Sequence, residues 1–216
     1  MNDVIPEQSA FVVFDTETTG LFVFRDKVTN EPVPADDPSQ PRMASFGAIV
    51  TDKAGQEVER FTRYIKPDGW SIDGTKAAEI NGLTDAFLND NGVPIAEVLD
   101  KWEGWIEAGF CTAAFNAQFD QKMMRAELRR AGRSDLFEQT RNVCLMRGMA
   151  PYKDQGLVMR SGRVSLANAC EFLGIIPGDA HDALGDAQSA LEILQRMMRD
   201  GCLVEPKIHY AAGVQT

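Results

Sequence analysis

Along this chain, short apolar runs alternate with segments in which apolar residues recur at helical spacing. Apolar runs at 11–14 and 110–115 predict strands that are buried on both faces. Weaker patterns at 43–51 and 58–65 predict two more strands, with a hairpin turn at 52–55. The first three strands would form an antiparallel meander. The strand at 110–115 follows a helix and would join that meander in parallel.

Apolar residues that recur every three to four positions predict the helices. They are expected at 75–81, 94–107, 117–131, 165–173 and 183–198. Gly82 and Gly174 would end two of them. The segment 143–149 fits either a strand or a helix, and 150–164 has the polar composition of a connection. The tail from Gly201 has no clear element, and we expect it to be mobile.

The segment 22–41 interrupts this order of elements. It holds four prolines, and a loop of this length inside a compact domain is usually functional or disordered. We expect a surface insertion. In the alternative, Phe22, Val23 and Phe24 pack back toward the end of the first strand as a lid or a stacking surface.

Four acidic residues stand either where these patterns call for an apolar residue or where one carboxylate crowds another. Asp15 and Glu17 follow the first apolar run two residues apart, so both side chains would project from one side of the strand. Asp120 and Asp186 fall on the apolar rows of two helices. Crowded carboxylates repel one another and are costly to desolvate, and a shared divalent cation would relieve both costs. The alternative for the first pair is simple hydration where the strand opens into solvent.

A histidine lies close to this group. His181 precedes Asp186 by five residues, which on one helix would turn the two side chains about 140° apart. We therefore expect the helix to begin after His181 with Asp182 as its N-cap, so that the imidazole can reach the site that Asp186 faces. Two Mg²⁺ or Mn²⁺ ions about 3.5–4 Å apart can stabilise both oxygens of an in-line phosphoryl displacement. A histidine suits removal of a proton from the attacking water.

Charge limits the partners of the chain. Its 216 residues carry a net charge of −10, which argues against broad electrostatic binding to nucleic acid or to an anionic membrane. A nucleic-acid enzyme that neutralises phosphate with metal ions is still allowed. Four arginines cluster on and after the helix 117–131: Arg125, Arg129, Arg130 and Arg133. We expect a solvated face there, with contact to substrate phosphates as the alternative.

The cysteines and the N-terminus indicate a cellular compartment. The four cysteines form no CxxC pair, so we expect buried, reduced thiols rather than a zinc knuckle. The N-terminus lacks the basic region and apolar run of a secretion signal, and no segment reaches membrane-spanning length. We expect a cytoplasmic protein that does not bind membranes.

Three segments resemble the motifs of the DEDDh exonuclease superfamily, which includes the proofreading epsilon subunit of bacterial replicative DNA polymerase. They are Asp15-x-Glu17-Thr18-Thr19-Gly20-Leu21, Asn116-x-x-Phe119-Asp120 and His181-Asp182-Ala183-x-x-Asp186-Ala187. The resemblance covers roughly residues 11–198. It implies an α/β, ribonuclease-H-like fold with a five-stranded mixed sheet flanked by helices. It also implies hydrolysis from a 3′ end that releases nucleoside 5′-monophosphates.

The resemblance implies a role for each acid and for the histidine. Asp15 would bridge two metal ions, Mg²⁺ or Mn²⁺. Glu17 and Asp186 would complete the first metal site, and Asp120 would hold the second, partly through water. His181 would be the general base.

The resemblance also implies substrate contacts. Four residues would bind the terminal nucleotide or support the second motif: Thr18, Thr19, Asn116 and Phe119. The sequence departs from the family at Phe115, where many relatives have histidine, and at Asn81, where histidine commonly precedes glycine. The segment 22–41 is also longer than in many relatives, which leaves substrate preference open.

We therefore predict a single exonuclease domain over 1–216, with a core at about 10–199 and a tail at 200–216. Its activity would be metal-dependent 3′→5′ hydrolysis of single-stranded DNA, and a polymerase or another protein as partner is left open. The alternatives are an exoribonuclease that trims RNA and a small-nucleotide phosphohydrolase, which the acidic composition leaves open. A non-catalytic interaction module would have lost one of the metal acids or the histidine, and all five are present.

Overall fold

The centre of the fold is a five-stranded mixed sheet. The computed structural model describes residues 10–179 and 181–209. The strands are β1 (Phe11–Thr18), β2 (Met43–Thr51), β3 (Glu57–Tyr64), β4 (Cys111–Ala114) and β5 (Asn142–Cys144). Their order is β3-β2-β1-β4-β5, with antiparallel pairing among β1, β2 and β3 and parallel pairing from β1 through β4 to β5. The predicted meander and its parallel extension are confirmed.

Helices flank this sheet. They are α1 (Lys76–Asn81), α2 (Asp85–Asn91), α3 (Ile95–Glu107), α4 (Ala117–Arg130), α5 (Leu145–Gly148), α6 (Leu166–Leu173) and α7 (Ala183–Arg199), with a 3₁₀ helix at Ala150–Gln155. All five predicted helices form. Helix α2 was not predicted, and the segment 143–149 is a strand followed by a helix, so each of its two interpretations was half right. Within the described residues, no helix has the length and apolar character needed to cross a membrane.

Strand β1 lies in the middle of the sheet and packs on both faces. Val12 and Phe14 belong to the apolar layer under α3 and α4, where the Phe14 ring lies 4.8 Å from that of Trp102. Phe11 and Val13 belong to the opposite layer, under α6 and α7. Alternating side chains therefore fill both layers, as the apolar run predicts. Residues at the carboxyl end of β1 can meet side chains from helices on either face.

The segment 22–41 is attached to the fold more firmly than expected. The Gln40 side chain accepts from Val23 N at 2.9 Å and donates to Val23 O at 2.7 Å. The Arg130 guanidinium donates to four of its carbonyl groups, those of Ala35, Asp36, Asp37 and Pro41. Most of the segment is exposed, as predicted for a surface insertion, but its carbonyls also serve as hydrogen-bond partners of the half-buried Arg130 of α4.

The arginine cluster is also different from the prediction. Arg125 and Arg129 both donate to Asp135, at 2.9 Å each. Arg130 pairs with the buried Glu127, and Arg133 pairs with Asp100 and Glu103. A solvated face is therefore wrong, since each of these guanidinium groups pairs with an acid, on the same helix for Arg130 and outside it for the other three.

Two further predictions need correction. Lys207 and Asn142 exchange backbone hydrogen bonds of 2.9 and 3.1 Å, which places the tail along the outer edge of β5. The tail has no helix or strand of its own up to His209, as predicted, but it is tied to the sheet at Lys207; residues 210–216 lie outside the described residues. The position of Asn116 directly before the helix predicts a capping side chain; Asn116 does occupy the N-cap position of α4, but its side chain makes no capping hydrogen bond.

Candidate active site

Carboxylates from both layers converge at the carboxyl end of β1. Asp15 and Glu17 follow its buried run, and both are partly exposed. From the α4 side, the buried Asp120 accepts hydrogen bonds from Thr16 N at 3.2 Å and from Thr16 Oγ1 at 2.9 Å. The polar residue between the two acids thus fixes a third acid beside them.

The fourth acid arrives through an unusually close contact between a helix and a strand. Gly47 pairs with Asp15 across the sheet. A Cβ atom at Gly47 would lie 2.4 Å from backbone atoms of Ala183 and Leu184, the first two residues of α7. Only glycine permits this approach. It sets the first turn of α7 on the sheet, so that Asp186 faces Asp15.

The loop before α7 positions the histidine. Asp182 caps the helix by accepting from Gly185 N at 2.9 Å, as predicted. His181 lies just outside the helix with φ of 61°, a left-handed conformation in which histidine is found more often than most residues. The loop is pressed against the helix, because a Cβ at Gly185 would lie 2.4 Å from Asp179 O.

Three of the predicted residues are close enough to share an ion. Glu17, His181 and Asp186 each offer one ligand atom, and these atoms all lie within 4.8 Å of one another. The His181 backbone N–H also binds the Asp186 carboxylate. The imidazole is exposed and therefore accessible to a substrate or a water.

The pKa values of Asp15 and Asp120 are raised. Burial raises the pKa of Asp15 well above its usual range, and the charges of Asp120, Asp186 and Glu17 raise it further. Burial raises the pKa of Asp120 to about 7, although hydrogen bonds from Thr16 oppose the shift. Both carboxylates are therefore costly to ionise together in the absence of a cation.

The two acids nearer to His181 follow the same trend. Burial raises the pKa of Glu17 to about 7, against a hydrogen bond from the Asn81 amide. Burial also raises the pKa of Asp186, while the charge of His181 lowers it. In the described part of the chain, no lysine or arginine forms an ion pair with any of the four acids.

The donor set fits divalent metal ions. Four carboxylates without a lysine or arginine partner provide the oxygen ligands that Mg²⁺ and Mn²⁺ prefer. The pKa values of all four acids are raised, so ionising these carboxylates together is costly: Asp15, Glu17, Asp120 and Asp186. A cation bound among them would offset that cost. The protein elsewhere satisfies its buried charges with arginine, so the lack of such a partner here indicates a site built for a cation from solution.

The metal-free protein is expected to lose stability as the pH rises from about 4.5 to about 7. The folded-state pKa of Glu17 is raised from 4.5 to about 7, and that of Asp120 is raised to a similar value. In this window the folded protein therefore binds more protons than the unfolded chain. Unfolding becomes easier as the pH rises. Asp135 has a lowered pKa, and its contribution changes only below this window. Thermal unfolding in a chelator at several pH values would measure the effect.

Millimolar Mn²⁺ should raise the melting temperature, and more at high pH, because the ion binds the ionised carboxylates. Glu17→Gln should flatten the pH dependence in chelator. A melting temperature that rises with pH in chelator, or that ignores Mn²⁺ at every pH, would contradict the assignment of these acids to a metal site.

The predicted substrate residues are placed around this cluster in different ways. Thr18 is buried, and its hydroxyl donates to Gly20 O at 2.8 Å. The Thr19 hydroxyl accepts from the backbone N–H of Arg42, which ties the end of β1 to the end of the segment 22–41. Asn116 is exposed. The ring of Phe119 lies 5.7 Å from that of Phe22, so Phe22 does pack back toward the acids.

Gly47 helps to build the site and was not predicted, and Asn81 was noted only as a departure from the family. Gly47 gives no signal beyond a glycine within a predicted strand, and its role appears only when the helix that crosses it is known. Asn81 directs its amide toward Glu17 Oε2 and Thr18 O, at 3.4 and 3.5 Å. These contacts are long, and they place the Asn81 amide beside Glu17 and the end of β1.

Comparison with known proteins places this site in a family. The sequence profile of the RNase T family, described as exonuclease, matches residues 12–194. The chain is 30% identical over 198 residues to a PolC-type DNA polymerase III of Thermotoga petrophila, covering 89% of this chain and 12% of the relative. It is 29% identical over 194 residues to the DNA polymerase III subunit epsilon of Treponema pallidum, covering 90% of this chain and 79% of that subunit.

A solved structure shares the fold. The zinc-bound form of the E. coli ExoI–ssDNA complex aligns with a TM-score of 0.70 and 22% identity, covering 89% of this chain and 41% of that chain. This likeness confirms the predicted ribonuclease-H-like architecture. The chain spans only 12% of the PolC-type relative, so that relative has large parts with no counterpart here.

Proposed function

The chain belongs to the RNase T exonuclease family and is a 3′–5′ exonuclease domain, and on that premise we propose that it shortens single-stranded DNA with two divalent metal ions. The observation that carries the proposal is the convergence of four carboxylates with raised pKa values and one histidine at the end of β1. We further propose that residues 1–216 form one such domain.

The acids hold the metal ions. Asp15 is central among them, since it interacts with the charges of the other three, and it would bridge both ions. Glu17 and Asp186 would complete one metal site, and Asp120 would serve the other, with Thr16 fixing its orientation. When bound, Mg²⁺ or Mn²⁺ ions supply Lewis-acid stabilisation to the attacking and leaving oxygens of the phosphodiester.

The remaining residues would position the terminal nucleotide and activate the attacking water. His181 would accept a proton from the attacking water, because its exposed imidazole lies beside Glu17 and Asp186. Thr18, Thr19 and nearby backbone would hold the terminal nucleotide, with the Asn81 amide beside the end of β1. Asn116 and Phe119 would support α4, on which Asp120 lies. The products would be a nucleoside 5′-monophosphate and a strand shortened by one residue.

Several observations bear on the substrate and on partners. The related ExoI structure was determined with single-stranded DNA, which supports DNA over the alternative of RNA. The names of the relatives include DNA polymerase III, so we propose a polymerase as a partner. The acidic chain is compatible with dependence on such a partner for affinity. All four cysteines are free, as the expectation of a reducing, cytoplasmic location requires.

The proposal is tested with 5′-labelled single-stranded DNA and its RNA equivalent in Mn²⁺. We expect a ladder of products that shortens from the 3′ end, with DNA shortened faster than RNA. If RNA is shortened faster than DNA, RNA is the preferred substrate and the protein is still a 3′→5′ exonuclease. Intact oligonucleotides beside hydrolysed deoxynucleoside triphosphates would instead assign a small-nucleotide phosphohydrolase. No hydrolysis of any of these would contradict the proposal.

A further inference from the structure

An apolar surface follows the carboxyl end of β1 in the chain and has no role in the mechanism. It is formed by Leu21, Val23 and Phe24, which are 80%, 42% and 64% exposed. Phe22, between them, is buried against Phe119, the neighbour of Asp120. Grouped apolar side chains at a surface mark interaction sites far more often than scattered ones do. This surface is therefore joined to the candidate active site through a direct contact between two rings.

The backbone around Phe24 is held in place. Both polar backbone atoms of Val23 bind the Gln40 side chain. The Phe24 carbonyl accepts from Val33 N at 3.1 Å, across a short hairpin. An aromatic side chain on a fixed backbone loses little conformational entropy when it binds a ligand. Phe24 is thus exposed and presented in a set position.

A lysine accompanies this ring. The Lys122 ammonium lies 4.3 Å from the centre of the Phe24 ring and 4.9 Å from that of Phe22. Lys122 takes part in none of the ion pairs found among the described residues, whereas the arginines of the same helix pair with acids. Burial lowers the pKa of Lys122. A phosphate could therefore approach this cation without displacing a carboxylate.

We propose that Phe24 and Lys122 bind the incoming single strand upstream of the two nucleotides that flank the scissile bond, with Phe24 stacking on a base and Lys122 contacting a phosphate. The inference rests on the proposed exonuclease function. An aromatic ring paired with a cation matches the alternation of base and phosphate in a single strand, and stacking accepts every base. In a chain of net charge −10, a local cation is needed to attract the strand.

The test compares kcat/KM for a single-stranded oligonucleotide of about twelve nucleotides and for a dinucleotide, which contains only the two nucleotides that flank the scissile bond. We expect the wild-type protein to prefer the longer strand, and Phe24→Ala to lower this preference about tenfold. Phe24→Trp should retain it. Val28→Ala is the matched control, because Val28 is 92% exposed on the same hairpin.

Lys122→Gln supplies an independent measurement. The slope of log KM for the longer strand against log salt concentration should fall by about 0.7, the value for one phosphate contact to a single strand. If the wild-type protein shortens DNA but has the same length preference as Phe24→Ala and the same salt slope as Lys122→Gln, the inference is wrong and the proposed function still stands. A wild-type protein that cleaves neither substrate would overturn the proposed function and the inference with it. Melting temperatures show that the variants are folded.

Discussion

Replacing Asp15 with asparagine is expected to reduce turnover about a thousandfold or more, because a bridging ligand contributes several kcal/mol of transition-state stabilisation. The same change should stabilise the metal-free protein. Asp15 is crowded by three other acids and its pKa is raised, so a neutral amide of the same shape removes a repulsion. Activity on labelled DNA and thermal unfolding in chelator measure the two effects. Their opposite signs distinguish a ligand from a residue that only supports the fold.

Asp182→Asn is the matched control for this change. Asp182 lies beside His181 and also raises the pKa of Asp15 and Glu17, but its carboxylate caps α7. Asparagine caps a helix about as well as aspartate, so turnover should remain within a few-fold of the wild type. An Asp15→Asn protein that is destabilised and still active would contradict the role of Asp15.

Replacing His181 with asparagine is expected to reduce turnover roughly a hundred- to ten-thousandfold, the usual contribution of a general base. Asparagine tolerates the left-handed backbone of this position, where φ is 61°, but cannot accept the proton. The rise in melting temperature produced by Mn²⁺ should persist, because the carboxylates remain. Turnover and metal-dependent unfolding, measured on the same samples, separate these effects.

His209→Asn is the control, since His209 is the other histidine of the chain and is exposed on the tail. It should leave both turnover and the Mn²⁺ effect unchanged. His181 also lies close enough to Glu17 and Asp186 to serve as a ligand. Equal loss of metal response and of turnover in His181→Asn would assign it that role and would exclude the general base.

The site could be predicted from the sequence because each acid violates a local periodicity. The alternation along β1 predicts that Asp15 and Glu17 share a side, and the helical rows of α4 and α7 turn Asp120 and Asp186 inward. The five-residue separation of His181 and Asp186 excludes one helix, and the structure indeed begins α7 at Ala183. Such inferences need only the geometry of single elements.

Features that depend on contacts between a helix or strand and residues outside it were not predictable. The partner of Arg125 and Arg129 is Asp135, and a helix pattern read alone gives no sign of it. The importance of Gly47 depends on which helix crosses β2. Helix α2 buries only Leu88 and is begun by the Thr84 cap, so its apolar periodicity is too weak to indicate a helix.

The central claim is that Asp15, Glu17, Asp120 and Asp186 form a two-metal centre, and calorimetric titration with Mn²⁺ tests it most directly. With a nucleoside 5′-monophosphate present, the wild-type protein should bind two ions per chain. Asp15→Asn should bind fewer under the same conditions, because it lacks the bridging oxygen ligands. A wild-type protein that binds no ion, or an Asp15→Asn variant that binds as many ions as tightly as the wild type, would contradict the account.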